Sequence, residues 1–314
     1  MNLLITGAWQ DARAQIPALE EMGHSVKFLQ YEKDALPCGY DWAEGIVCNG
    51  LFLHHPIEKF ENLTYIQLTS AGFDRVPMDY VREKGIEIHN ARGVYSVPMA
   101  EFALAGVLQL YKHLDFFRQN QRKNLWEKHR GLLELAGKTE CILGCGSVGT
   151  ECARRFAAFG CRVTGVDVSA EPRECFDEMH LTRDLAEVLP LADILVLTIP
   201  LTEQTRHLIG GDMLKKMKTG ALLVNIARGA VVDTGALIEA LRSGSLGGAV
   251  LDVFEEEPLA PDSPLWELEN VIITPHISFV GDKNSCRLAD MVISNIKMVN
   301  RADESRFPHC NGDL

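Results

Sequence analysis

The stretch ECILGCGSVG, residues 140–149, decides the fold. It opens as a short apolar run, and Gly144, Gly146 and Gly149 then fall in a G-x-G-x-x-G spacing. Alone, that spacing says little. Here it follows an apolar strand and opens a helix with apolar positions at Val148, Cys152, Phe156 and Phe159. The next apolar run, 162–167, ends in Asp167, 21 positions beyond Gly146. That is about the interval at which a dinucleotide-binding unit presents an acidic side chain to a ribose.

Each part has a physical task. Gly144 permits the tight turn, Gly146 lets the backbone approach a pyrophosphate, and Gly149 lets the helix lie close on the strand. Open N–H groups and the positive helix end near Ser147 and Val148 attract the diphosphate. Asp167 accepts from ribose hydroxyls and repels a 2′-phosphate, which favours NAD over NADP. Arg173, a few residues on, pulls the other way. The plain alternative is a glycine-rich turn with no nucleotide, or a methyltransferase-like loop. Strand, helix and Asp167 together speak against it.

Outward from this stretch, short apolar runs alternate with helical patterns. Residues 2–6, 25–29, 45–48, 64–68 and 86–89 read as strands, separated by amphipathic stretches such as 12–22 and 77–84. Such a succession implies a parallel sheet covered on both faces. A strongly apolar helix is expected over 98–112, then a polar, basic segment over 118–130. The second set of strands is 140–143, 162–167, 194–199, 221–226, 249–253 and 271–274, six in all, as in a doubly wound dinucleotide fold. A last helix is expected over 283–299, before a polar tail ending NGDL.

The 314 residues carry 31 Lys and Arg against 43 Asp and Glu, a formal charge of −12. That balance disfavours nucleic acid and anionic membranes as partners. No apolar run is long enough to span a bilayer, and the start MNLLITG lacks a basic leader, so a cytoplasmic protein is expected. The nine cysteines include no C-x-x-C pair, which points to reduced thiols rather than a disulfide framework or a metal site.

Three strand ends in the second half carry chemistry. Arg228 ends a strand in NIARG, Glu257 follows one in LDVFEEEP, and His276 follows one in TPHIS. Reducing a 2-oxo acid needs a cation to grip the carboxylate and a proton donor titrating near neutrality. An anion beside that donor helps to hold its charge. Arg, His and Glu meet those needs. Singly, each is more often a solvated charge or a structural histidine. Glu255 and Glu256 adjoin Glu257, and the Pro258 that follows favours Glu257.

At these motifs the chain resembles the D-isomer-specific 2-hydroxyacid dehydrogenases, of the phosphoglycerate dehydrogenase and glyoxylate/hydroxypyruvate reductase type. The likeness runs through LTSAGFD (68–74), ELAGKTECILGCGSVG (134–149), LPLADILVLTIPLTEQTRHLI (189–209), LLVNIARGAVVD (222–233), AVLDVFEEEP (249–258) and NVIITPHIS (270–278). The resemblance implies His276 as acid/base, Glu257 as its partner and Arg228 as substrate clamp. It implies carboxylate binding around Ser70, Ala71 and Gly72, Asp252 at the nicotinamide end, and Pro200, Thr205, Ile226 and Ala227 along the cofactor groove, with Arg228 and His276 also touching the cofactor. It further implies a flavodoxin-like substrate domain (1–93 with 277–314), a Rossmann NAD domain (94–276), a cleft between them, and a homodimer using 98–112 and 118–132. Departures at Arg75, Arg92, Tyr95 and Ser278-Phe279 leave the substrate open; Arg75, Arg92 and Arg122 read as surface charges or as readers of a second anion. A formate-dehydrogenase-like reaction and an NAD-sensing corepressor on the same fold are the rivals.

Overall fold

The computed structural model describes residues 1–306, with side chains through Val299; Cys310 and the closing NGDL lie outside the described residues. The chain divides into two compact units, 1–94 with the chain from Gly281 onward, and Tyr95–Val280.

The first unit runs β1 (Asn2–Thr6), α1 (Ala12–Glu21), β2 (Ser25–Leu29), β3 (Gly45–Cys48), β4 (Tyr65–Leu68), α2 (Met78–Lys84) and β5 (Glu87–His89). Its five strands form one parallel sheet in the order β2-β1-β3-β4-β5, the flavodoxin-like arrangement. The inner strands are apolar on both faces: Leu3, Leu4, Ile5, Ile46, Val47 and Cys48 are all fully buried. This is why they read as unbroken apolar runs rather than as alternation. Helix α2 ends at Gly85, whose φ of +66° closes it with a left-handed residue.

The second unit holds α3 (Ser96–Tyr111), α4 (Leu114–Arg122), β6 (Thr139–Leu143), α5 (Ser147–Ala158), β7 (Arg162–Asp167), β8 (Glu178–Leu181) and α6 (Leu185–Val188). It continues through β9 (Ile194–Leu197), α7 (Gly211–Leu214), β10 (Ala221–Asn225), α8 (Thr234–Arg242), β11 (Leu246–Leu251) and β12 (Val271–Ile273). The seven strands are parallel in the order β12-β11-β10-β9-β6-β7-β8, a doubly wound Rossmann sheet. Alternate residues feed two cores. Leu143, Leu197, Leu223 and Leu251 pack on one face; Ile142, Val196, Val224 and Val250 pack on the other with Val107 and Phe156. Each such side chain contributes roughly 1.5–3 kcal/mol by leaving water. The chain then returns to the first unit through α9 (Asn284–Arg306), which packs against α1 and donates from Asn295 Nδ2 to Gln67 Oε1 at 2.9 Å.

Three details depart from the sequence expectation. The sheet gains a seventh strand, β8, at its edge; with sequence EMHL it carries the charge typical of edges and lacks an apolar run. The basic segment after α3 is helical as far as Arg122, because Leu114, Phe116 and Phe117 give it an apolar side. Helix α3 starts at Ser96, so Pro98 sits within its first turn, where its missing N–H removes no bond.

Candidate active site

Because β10, β11 and β12 are parallel neighbours, the loops at their C-terminal ends share one edge of the sheet. Arg228 lies in the first, Glu257 in the second and His276 in the third. The first turn is shaped by the buried Asn225: its Oδ1 accepts from Ala227 N–H at 3.1 Å, and its Nδ2 donates to Arg228 O at 3.0 Å. The Arg228 guanidinium is partly buried and donates to Ala227 O at 2.7 Å. In the second loop, Glu257 Oε1 accepts from Phe254 N–H at 3.0 Å, while Oε2 accepts from His276 Nδ1–H at 2.8 Å. The Glu257–Pro258 peptide is cis.

The third loop is anchored from below by Asp252. Its side chain is fully buried; Oδ1 accepts from Thr274 Oγ1 (2.6 Å) and Ile277 N–H (2.8 Å), and Oδ2 from Ser278 N–H (2.9 Å). The His276 N–H donates to Asp252 O at 2.8 Å, and His276 itself has a φ of +51°. Holding a non-glycine residue there costs roughly 1–3 kcal/mol, a strain met most often at functional sites. The outcome is a histidine whose Nδ1 is tied to a carboxylate and whose outer nitrogen, Nε2, has no protein partner among the described residues. A carboxylate acceptor fixes this tautomer and stabilises positive charge on the ring. Phe279 meets the His276 ring edge to face at 6.2 Å, and Tyr95 meets Phe279 at 5.9 Å.

The glycine loop leaves β6 at the point where strand order reverses, between β6 and β9. Gly144 has φ +98°, and a Cβ there would lie 2.8 Å from Ile199 N. A Cβ on Gly149 would lie 2.2 Å from Gly144 O, so only glycine lets α5 sit this close to the turn. No side chain caps α5 at Gly146, so the first N–H groups of the helix, at Ser147 and Val148, stay open to an anion. Asp167, ending β7, accepts from Cys145 N–H at 2.8 Å and Arg173 Nη1 at 3.1 Å on one oxygen, and from Val168 N–H at 2.6 Å on the other. This donor set and glycine cradle fit the diphosphate and ribose of a dinucleotide. Thr205 Oγ1 donates to Pro200 O at 2.8 Å and so braces the 200–205 loop, while Ile226 and Ala227 lie buried where β10 ends.

In the first unit, the turn after β4 is fastened by Ala91 N–H to Ser70 O (2.8 Å), Asn90 Nδ2 to Ala71 O (2.6 Å) and Ser70 Oγ to Gly72 O (3.1 Å). The N–H groups of Ala71 and Gly72 donate to no protein acceptor among the described residues, which suits an anion. Arg75 lines a cavity of about 510 Å³ with His54, Glu58 and Asp74. Arg92 is exposed, and Arg122 closes α4 in the second unit.

Residues 104–278 match the family described as D-isomer specific 2-hydroxyacid dehydrogenase, NAD binding domain. The chain belongs to that family. The chain is 36% identical over 250 residues to a D-3-phosphoglycerate dehydrogenase of Methanocaldococcus jannaschii, covering 79% of this chain but only 47% of that protein. It is 32% identical over 287 residues to a glyoxylate reductase of Thermofilum pendens, covering 89% and 81%. Among solved structures it is similar to the D-lactate dehydrogenase of Aquifex aeolicus complexed with NAD and lactic acid, with a TM-score of 0.77, 30% identity, and 98% and 97% of the two chains covered. Of the residues singled out from sequence, Glu257 and His276 are in direct contact, and Arg228 lies on the same sheet edge. Two contacts lie beyond the sequence reading: Asp252, placed there only at the nicotinamide end, anchors the histidine loop, and Glu255 pairs with His207 at 2.7 Å.

Proposed function

We propose that this dehydrogenase interconverts a small 2-hydroxy acid and its 2-oxo acid with NAD as partner and His276 as acid/base. The observation that carries the reading is the Nδ1–H bond to Glu257 at 2.8 Å with Nε2 left open. Bound NAD(H) supplies or accepts the hydride at C2. In the reductive direction Arg228 grips the substrate carboxylate and polarises the C2 oxygen. His276 Nε2–H donates its proton to that oxygen as it becomes an alkoxide, and Glu257 stabilises the ring while it is charged. A carboxylate rather than an amide beside His276 argues against a formate-type reaction, which needs no such proton.

Asp167 favours NAD over NADP, although Arg173 already leans on it and tempers the preference. A homodimer is proposed through 98–112 and 118–132; around this stretch Trp126 is 97% exposed, with Leu125, Leu132 and Leu133 also open. Cys48, Cys141, Cys145, Cys152 and Cys161 are buried free thiols, as suits a cytoplasmic setting. No helix of the described residues is long and apolar enough to cross a membrane.

The test is NADH oxidation with glyoxylate, hydroxypyruvate, pyruvate and phosphohydroxypyruvate, repeated with NADPH. At least one 2-oxo acid is expected to turn over, faster with NADH. His276→Ala should lower kcat by about 10²- to 10⁴-fold while NADH binding persists. Tight NADH binding without turnover of any 2-oxo acid would instead leave a sensor, and unchanged turnover in His276→Ala removes the histidine from the reaction.

A further inference from the structure

Three segments of the second unit converge on a carboxylate that the proposed reaction does not use. Glu255 accepts from Thr234 Oγ1 at 2.6 Å, from Thr234 N–H at 3.0 Å and from His207 Nε2–H at 2.7 Å. Thr234 opens α8 directly after the 228–233 turn, so it continues the segment that carries Arg228. His207 is bound into the same segment: its N–H donates to Ala230 O at 2.8 Å, and Ile209 N–H donates to Val231 O at 3.1 Å. Beneath these bonds the two loops press together, since a Cβ on Gly229 would lie 1.8 Å from the Phe254 carbonyl carbon.

A glutamate in an exposed EEE run is ordinarily a solvated charge. Glu256 fits that description, with no protein hydrogen bond or ion pair among the described residues. Glu255 does not. Its partial burial opposes ionisation, but the Thr234 and His207 hydrogen bonds outweigh it and hold the carboxyl below the usual carboxylate range. It is an anion with three donors from two other segments. Only Glu256 separates it from Glu257, and Glu257 Oε1 is itself bonded to Phe254 N–H, on the other side of Glu255. A shift of the chain at 255 therefore moves both the side chain that faces His276 and the amide that steadies it.

We propose that Glu255 is a positioning residue: by tying Thr234 and His207 to the 252–258 loop, it fixes Glu257 against His276 Nδ1. The role rests on the reading of Glu257 and His276 as the proton-handling pair. Misplacing a reacting group by about 1 Å costs on the order of 10²-fold in rate. Glu255→Ala is accordingly expected to lower kcat roughly 10- to 100-fold. The glycine loop itself makes no bond to Glu255, Thr234 or His207 among the described residues, so the Kd for NADH should change by less than kcat does. Glu255→Gln keeps an acceptor oxygen and should recover most of the lost rate.

The deciding measurement is a double-mutant cycle with Glu257→Gln, following kcat and NADH affinity in the intact chain. If Glu255 acts through Glu257, adding Glu255→Ala to Glu257→Gln costs less than about a further twofold. Fully multiplicative losses, or a Glu255→Ala kcat within about twofold of the parent, overturn the proposal. Should Glu255→Ala fail to fold, Thr234→Val carries the test. Loss of its one hydroxyl donor should lower kcat about threefold with NADH affinity intact, and an unchanged kcat overturns the role. The His276→Ala variant separates the two levels of inference. If it keeps its turnover, the proposed reaction is wrong; if it loses turnover while Glu255→Ala keeps it, only the positioning role is wrong.

Discussion

Two histidine–glutamate pairs stand on the same loop of the second unit, two residues apart on the acidic side. Glu257 holds His276 at 2.8 Å, and Glu255 holds His207 at 2.7 Å. Both histidines have a left-handed backbone, with φ of +51° and +52°, and both side chains are a little over two-fifths exposed. Chemistry and distance do not tell them apart; the nitrogen engaged does. His276 gives its inner Nδ1 to the carboxylate and leaves Nε2, the tip of the ring, open. His207 gives up that tip. In the proposed reaction the proton passes through Nε2, the nitrogen that the first pair leaves open and the second gives to its carboxylate. The carboxylates differ in the same sense: among the described residues Glu255 has Thr234 N–H and Oγ1 as further donors from another segment, while Glu257 has only Phe254 N–H from its own loop.

The largest test of this contrast removes the charge from one pair and the ring from the other. Glu257→Gln leaves an imidazolium without its counter-ion, and kcat for 2-oxo acid reduction at neutral pH should fall on the order of 10²-fold. His207→Gln removes one of three donors to Glu255, and a single net hydrogen bond of about 1 kcal/mol limits the loss to less than about tenfold. Comparable losses in the two variants, measured as kcat at saturating cofactor, would erase the distinction.

A second test asks what the acidic pair stands on. Asp252 is fully buried and accepts three donors from the loop that carries His276. In Asp252→Asn an amide N–H must face either Ser278 N–H or the donors at Ile277 and Thr274. The buried mismatch should cost about 1–3 kcal/mol, read as a lower thermal midpoint together with a reduced kcat. A variant that melts and turns over like the parent would show that the loop holds itself.

How far all this was legible in the sequence depends on burial. The inner parallel strands declared themselves because both faces are covered and their residues are apolar throughout, as at Leu3–Ile5 and Ile194–Leu197. Strand β8 did not, since an edge strand of four residues with Glu178 and His180 has no such pattern. At the candidate site, strand ends marked Arg228, Glu257 and His276. Which acid of the EEE run meets which histidine is set by how 201–209 folds back along 230–233, at Ile209 and Val232, a long-range contact that no local spacing encodes. The resemblance puts Asp252 at the nicotinamide end, and nothing in LDVFEEEP says that its oxygens accept from the histidine loop.

The smallest expected effect concerns acid stability, and it separates the pairs by sign. The Glu255 carboxyl is held below the usual carboxylate range: burial opposes ionisation, and the Thr234 and His207 bonds prevail. A folded value below the unfolded one means stability that is present above about pH 4.3, the ordinary glutamate value, and lost as pH falls through the folded value. Thermal midpoints of the parent and of Glu255→Gln should therefore differ at neutral pH and converge in acid. The side chain is one-third exposed, so solvent screening keeps the difference below about 1 kcal/mol. A gap between the two curves that never closes as pH falls into strong acid would mean that the ionised Glu255 contributes nothing through these bonds, and that the second pair is held by packing at Gly229 and Phe254 instead.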